Sequence, residues 1–181
     1  MRGNVLNDTL FLDRDGVVNV QLVGDYVKKP SELVLREDFV RSIPYLKKHF
    51  RRFILVTNQQ CIGRGICTQA DVDEVHRYMC TLLADNGFRF DAIYLCPHVA
   101  GSGCGCRKPE IGMIDQALGN FPDIKLHRSL MVGDSLSDMQ FGRAAGIPTL
   151  YIGTVKPENR EAVTANSDFI SPTLLQFFQN L

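Results

Sequence analysis

Net charge is the first thing this chain lacks. Twenty acidic and twenty basic side chains cancel to a formal charge of zero, so it has none of the broad positive field that tracks a nucleic-acid backbone. A small ligand is expected, and no nucleic acid. No stretch approaches the roughly 20 consecutive apolar residues of a membrane-spanning helix, so no membrane partner is expected either. Before Asp13 and Asp15 the N-terminal segment has only the short apolar run Thr9 to Leu12. That is too little for the apolar region of a signal peptide, and the expected location is the cytoplasm. Internal repeats, low-complexity tracts and interdomain linkers are missing as well, which for a chain of 181 residues points to one domain over residues 1–181.

Cysteine, by contrast, is plentiful. Without a secretion signal, the six cysteines read as thiols or metal ligands and not as a disulfide framework. Three of them, Cys96, Cys104 and Cys106, fall within eleven residues, with His98 between them. This Cys-x-His-x5-Cys-x-Cys array offers three thiolates and one imidazole to a tetrahedral ion, a donor set that suits zinc. Incidental buried thiols are the plain alternative, but the glycine-rich loop has few apolar residues to build a core around them. Four protein ligands leave no open position, so the zinc is expected to be structural, clamping the loop and aiming Arg107 and Lys108. Cys61, Cys67 and Cys80 show no such array.

Short apolar runs alternate with longer amphipathic ones. Strands are expected at Thr9 to Leu12, Phe53 to Val56, Ala92 to Leu95, Leu130 to Val132 and Thr149 to Ile152. Helices are expected at Phe39 to His49, Ala70 to Asn86, Ile111 to Asn120 and Ser137 to Ala145, the second capped by Thr68. Such a β-α repeat implies a parallel, doubly wound sheet with helices on both faces and ligand loops at the carboxyl ends of its strands. The tail beyond Gly153 is weakly patterned; Pro172 to Leu181 would either close the fold as a helix or fray.

Four strand ends carry chemistry. After the first, alternation sends Asp13 and Asp15 to one side and Arg14 to the other, so two carboxylates share a mouth, while Gly16 lets the chain turn away. A calcium loop starting at Asp13 would need a glutamate where Gly24 stands. An acidic turn that merely ends a strand is the other plain alternative. Thr57, Asn58 and Gln59 follow the second strand and suit an oxyanion. Arg107 and Lys108 precede a helix opened by Pro109 or Glu110, and suit phosphoryl oxygens unless they are a solvated basic pair. Asp134 and Asp138 follow the fourth strand; an acidic helix start capped by Ser135 or Ser137 accounts for them equally well. If the sheet reverses direction at its first strand, Asp13, Asp15 and Asp134 become neighbours able to hold one magnesium ion.

In order, DRDGVVN, VTN, RKP and VGDSLSD resemble the four motifs of the haloacid dehalogenase superfamily of phosphohydrolases. The resemblance runs from about Thr9 to Ile152. It implies a Rossmann-like sheet, here without a large cap domain, and a two-step mechanism. Asp13 would attack phosphorus, Asp15 would act as acid and then base, and Thr57 and Lys108 would hold the phosphoryl oxygens. Magnesium would be bound by Asp13, the backbone carbonyl of Asp15, and Asp134, with Asp138 supporting the site from behind. Asn19, Asn58, Gln59, Arg64 and Arg107 are expected to contact a small phosphorylated metabolite. The cysteine loop running directly into RKP resembles the branch containing heptose bisphosphate and histidinol phosphatases. NQQCIGRGICT and GDSLSDMQ lean toward the former, whose members remove the C7 phosphate of D-glycero-D-manno-heptose 1,7-bisphosphate; the five residues between His98 and Cys104 lean toward the latter. A non-catalytic zinc-stabilised binding protein of the same fold would need none of Asp13, Asp15, Lys108 and Asp134.

Overall fold

The computed structural model of the chain describes residues 7–181; residues 1–6, part of the segment weighed against a signal peptide, lie outside it. Six strands form one sheet: β1 (Thr9–Leu12), β2 (Arg52–Asn58), β3 (Ala92–Cys96), β4 (Leu130–Gly133), β5 (Thr149–Ile152) and β6 (Phe169–Ser171). Their order is β3-β2-β1-β4-β5-β6, and every neighbouring pair is parallel. Parallel neighbours require crossovers, and helices lie in them: α1 (Glu37–His49), α2 (Gln60–Gly63), α3 (Gln69–Asp85), α4 (Gly112–Asn120), α5 (Leu136–Ala144) and α6 (Arg160–Asn166); α7 (Leu174–Gln179) follows the last strand. Among the described residues no helix is long and apolar enough to cross a membrane.

Strand alternation divides the core in two. Leu10, Leu12, Leu55, Leu130, Val132 and Leu150 point to one face and pack against α1, α3 and α7 through Phe39, Leu46, Met79, Leu83 and Phe178. Phe11, Ile54, Val56 and Met131 point to the other, where Met113, Ile114 and Ala117 of α4 and Phe141 of α5 cover them. Burial on both faces explains why these strands read as unbroken apolar runs. Helix ends follow local chemistry: α1 has Glu37 and Asp38 in its first turn and Lys47, Lys48 and His49 in its last, which favours the helix dipole at both ends. Reciprocal capping boxes, Thr68 with Asp71 and Ser135 with Asp138, start α3 and α5.

Several boundaries differ from the sequence expectation for identifiable reasons. β2 continues through Thr57 and Asn58 because β3 runs on beside it, pairing Thr57 with Leu95 and Asn58 with Cys96. The polar pair therefore sits on a strand and not in a loop. The tail is ordered into α6, β6 and α7. Its closing helix is present because Leu174 and Phe178 enter the core, Phe178 lying 6.0 Å from the ring of Phe50. β6 gave no apolar signal because it is a three-residue edge strand with Phe169 and Ile170 partly in solvent.

Gly142 marks a close approach of α5 to the sheet. A Cβ there would overlap Thr149 and sit 3.1 Å from Cβ of Met131. Gly142→Ala should therefore lower stability by about 1–3 kcal/mol through overpacking, seen as a lower urea midpoint with an unchanged slope; an unchanged midpoint would show that α5 can shift freely.

Candidate active site

The strand order reverses between β1 and β4, so the loops leaving Leu12 and Gly133 diverge around a crevice. A cavity of about 200 Å³ opens there, lined by Asp13, Asp15, Asn58, Arg107, Lys108, Asp134 and Asp138 and by Asp25 and Tyr26 from the loop after β1.

Lys108 is its pivot. The ammonium donates to Asp13 Oδ1 at 2.7 Å and to the carbonyl of Val56 at 2.8 Å. It also lies 2.6 Å from Asp138 Oδ1, an ion pair outside hydrogen-bond alignment. Its side chain is 2 % exposed. Burial alone would lower its proton affinity, but Asp13 and Asp138 outweigh burial and hold Lys108 above its ordinary value. The backbone on either side is fixed by Asn58, whose Oδ1 accepts from Lys108 N at 3.0 Å and whose Nδ2 donates to Lys108 O at 3.2 Å.

Three carboxylates, those of Asp13, Asp134 and Asp138, bring oxygens within 4.8 Å of one another. Burial pushes Asp13 up to about 7 even against the Lys108 charge, with Asp138 and Asp15 adding to the rise. Burial likewise pushes Asp134 up to about 8, helped by Asp13 and Asp138. One ammonium does not balance three carboxylates, and the surplus suits a hard divalent cation held by oxygen. Gly16, at φ +84°, lets the chain pass so close to Asp134 that any Cβ would collide with that carboxylate.

Asp15 faces a different environment. Arg14 Nε and Nη2 donate to its two oxygens at 3.1 Å each, Asn19 Nδ2 at 3.0 Å and Gln59 Nε2 at 3.0 Å. Burial opposes its charge, but Arg14 and these donors prevail and keep it below the ordinary carboxylate range. Arg14 thus does not point away from the carboxylates as alternation suggested. β1 ends at Leu12, and the tight turn in which Val18 N donates to Arg14 O swings the side chain inward until it is wholly buried.

The cysteine array converges as its spacing implied. His98 Nδ1 lies 3.5 Å from Cys96 Sγ and 3.3 Å from Cys106 Sγ, and Cys96 Sγ lies 3.7 Å from Cys104 Sγ. Tetrahedral thiolates about 2.3 Å from zinc stand at comparable separations. The loop is tied by its backbone to α2 and the residue before it: Gln59 N donates to Cys96 O at 2.8 Å and Gly63 N to Pro97 O at 2.9 Å.

Residues 105–177 match the HAD-hydrolase-like family model. The D-glycero-alpha-D-manno-heptose-1,7-bisphosphate 7-phosphatase of Mycobacterium tuberculosis is 41% identical over 131 residues, 72% of this chain and 69% of that one. The beta-specific counterpart from Vibrio cholerae is 38% identical over 82% of both chains. A crystal structure of the D,D-heptose 1,7-bisphosphate phosphatase from B. bronchiseptica, complexed with magnesium and phosphate, overlays with a TM-score of 0.82 at 30% identity, covering 96% of this chain and 97% of that one. The chain belongs to the haloacid dehalogenase-like phosphatases.

Within this phosphatase, Asp13, Asp15, Lys108, Asp134, Asn58 and Arg107 share one cavity, whereas other expected contacts lie elsewhere. Asn19 and Gln59 are buried and grip Asp15, so they face the protein and not a ligand. Thr57 is buried and accepts from Gln59 Nε2 at 2.8 Å. Arg64 is exposed and does not line the cavity. In the acidic cluster the third carboxylate belongs to Asp138, not to Asp15, whose side chain is occupied by Arg14. Arg14 and His76 were not singled out from the sequence. The visible signal was a histidine in the apolar stripe Val72, Val75, Met79 and Leu83 of α3.

The raised aspartates have a consequence for stability. A carboxyl that binds its proton more tightly when folded favours the folded state as pH falls toward its unfolded value. Asp134 and Asp13 titrate at about 8 and 7 when folded, against about 3.9 unfolded. His76, pushed down to about 4 mainly by burial, begins to oppose them below its unfolded value of about 6.5. In chelator, stability should therefore rise as pH drops from about 8.5 to about 6.5, and excess magnesium should flatten that rise. Thermal unfolding across this window, with and without the ion, checks it.

Proposed function

We propose that this phosphatase removes the C7 phosphate of D-glycero-D-manno-heptose 1,7-bisphosphate through an aspartyl phosphate on Asp13. The observation that carries this reading is the Asp13 carboxylate, held at the switch-point mouth by Lys108 and facing a cavity that also contains Arg107. The names of the relatives supply the substrate.

An oxygen of Asp13 attacks phosphorus, the bond from phosphorus to the sugar oxygen breaks, and Asp15 gives its proton to the departing alkoxide. An incoming phosphate dianion raises the proton affinity of nearby carboxyls, which loads Asp15 against its donors. Water then attacks phosphorus while Asp15 takes its proton; the bond to Asp13 breaks, and phosphate and the free carboxylate are restored. Lys108 neutralises phosphoryl oxygen throughout, and Asp138 keeps the ammonium aimed. Asp13, Asp134 and the backbone carbonyl of Asp15 would hold magnesium, which when bound would supply positive charge against the crowded oxygens. Arg107, which lines the cavity and whose Nη1 donates to His98 O at 3.2 Å, would read the second phosphate. Cys96, His98, Cys104 and Cys106 would hold zinc, which would fix that loop, and the absence of disulfides among the described residues fits a cytoplasmic protein.

The deciding assay measures phosphate release from both anomers of the bisphosphate and from histidinol phosphate, with product analysis. The heptose 1-phosphate should accumulate, and Asp13→Asn should reduce turnover on the order of a thousandfold or more. Preference for histidinol phosphate would support the short-loop relatives instead, and a fully active Asp13→Asn protein would rule out the aspartyl phosphate.

Elemental analysis of protein purified without chelators should find zinc bound in equal amount to the chain. Cys104→Ser should lose most of it and lower the melting temperature, while Asp13, anchored beyond β1 by its N–H to Val132 O, stays in place. Full stability in a zinc-free preparation would refute the structural role.

A further inference from the structure

Arg14 heads the largest side chains that are wholly buried. Its guanidinium has five N–H donors, no acceptor and no neutral form at accessible pH, so its partners must all be acceptors. Nε and Nη2 reach Asp15, and Nη2 also reaches Gln59 Oε1 at 3.2 Å. Nη1 lies 3.2 Å from Nε2 of His76. A ring nitrogen facing an obligate donor must carry a lone pair, so His76 is neutral, with its proton on Nδ1. Burial, and then the charge of Arg14, keep the ring neutral by pushing it down to about 4. His76 is itself 6 % exposed and does not line the cavity, so it can reach the chemistry only through Arg14.

We propose that His76 is a positioning residue for proton transfer: its Nε2 lone pair fixes the rotation of the Arg14 guanidinium, which in turn holds the Asp15 carboxylate in one orientation. This rests on Asp15 being the acid–base group. A histidine that only filled space in α3 would need no particular tautomer, and an apolar residue of similar bulk would replace it.

The test joins a measurement on the unaltered protein to two substitutions. In isotopically nitrogen-labelled full-length protein at neutral pH, Nε2 of His76 should give the resonance of an unprotonated ring nitrogen and Nδ1 that of a protonated one. The opposite tautomer, or an imidazolium, overturns the proposal, and this readout remains decisive if a substituted chain fails to fold. His76→Leu removes the lone pair, whereas His76→Gln keeps an acceptor. Because kcat/KM covers steps only through the first phosphoryl transfer, it isolates help to the leaving group. For the heptose bisphosphate, His76→Leu should lower kcat/KM by about tenfold and His76→Gln should restore most of it. For p-nitrophenyl phosphate, whose leaving group needs little proton assistance, the loss should stay below about threefold. Equal losses on both esters, no loss on either, or a glutamine no better than leucine would each sink the idea. If the unaltered protein cleaves neither ester, the phosphatase reading fails, while the tautomer still decides the Arg14–His76 contact.

Discussion

The fold converges on one buried cation. Lys108 sits between Asp13 and Asp138, and each of the three arrives from a different part of the chain: the end of β1, the end of the cysteine loop and the first turn of α5. Taking an ammonium and two carboxylates out of water is expensive, and the arrangement holds only because each charge meets another or an aligned dipole. The carbonyl of Val56 and the amide of Asn58 complete the enclosure from β2. Strand order, loop length and the capping box of α5 can therefore be understood as what places these charges within contact of one another.

The same charges divide the aspartates into two working environments a few residues apart. Asp13 and Asp134 are pushed up first by burial and then by the neighbouring carboxylates, whereas Arg14, Asn19 and Gln59 hold Asp15 low against its own burial. Aspartates of one cavity thus acquire different proton affinities from their surroundings alone. Nothing about the side chains themselves distinguishes the three; Arg14 and its neighbours do.

Much of this was legible in the sequence, and the limits were physical. Parallel strands buried on both faces betray themselves as apolar runs, so five of the six are legible; Asp13 and Asp134 stand just past two of those runs, the four metal-type ligands show in their own spacing, and Lys108 in its place before Pro109. What failed depended on where a side chain turns after the strand stops. Alternation put Arg14 outside because it assumed that β1 continued, and Asn19 and Gln59 looked like substrate contacts because a polar residue near a mouth cannot be told from one that braces a catalytic group. Asp138 seemed a supporting residue because its capping role was already sufficient to explain it; only the fold showed that its other oxygen meets Lys108. β6 was missed because a short, half-exposed edge leaves no pattern.

Arg14 also bears on how the chain reaches this state. A guanidinium cannot shed its charge to enter an apolar interior, so it can be enclosed only when Asp15 from the turn after β1, Gln59 from the end of β2 and His76 from α3 are all in position. Those partners span the first two crossovers of the sheet. The opposite charge for Arg14 travels with it, since Asp15 is the next residue, but the acceptors on Gln59 and His76 are supplied only once β2 and α3 have docked. Closure around β1, β2 and α3 thus completes the acceptor set of Arg14 and fixes Asp15 in the same arrangement.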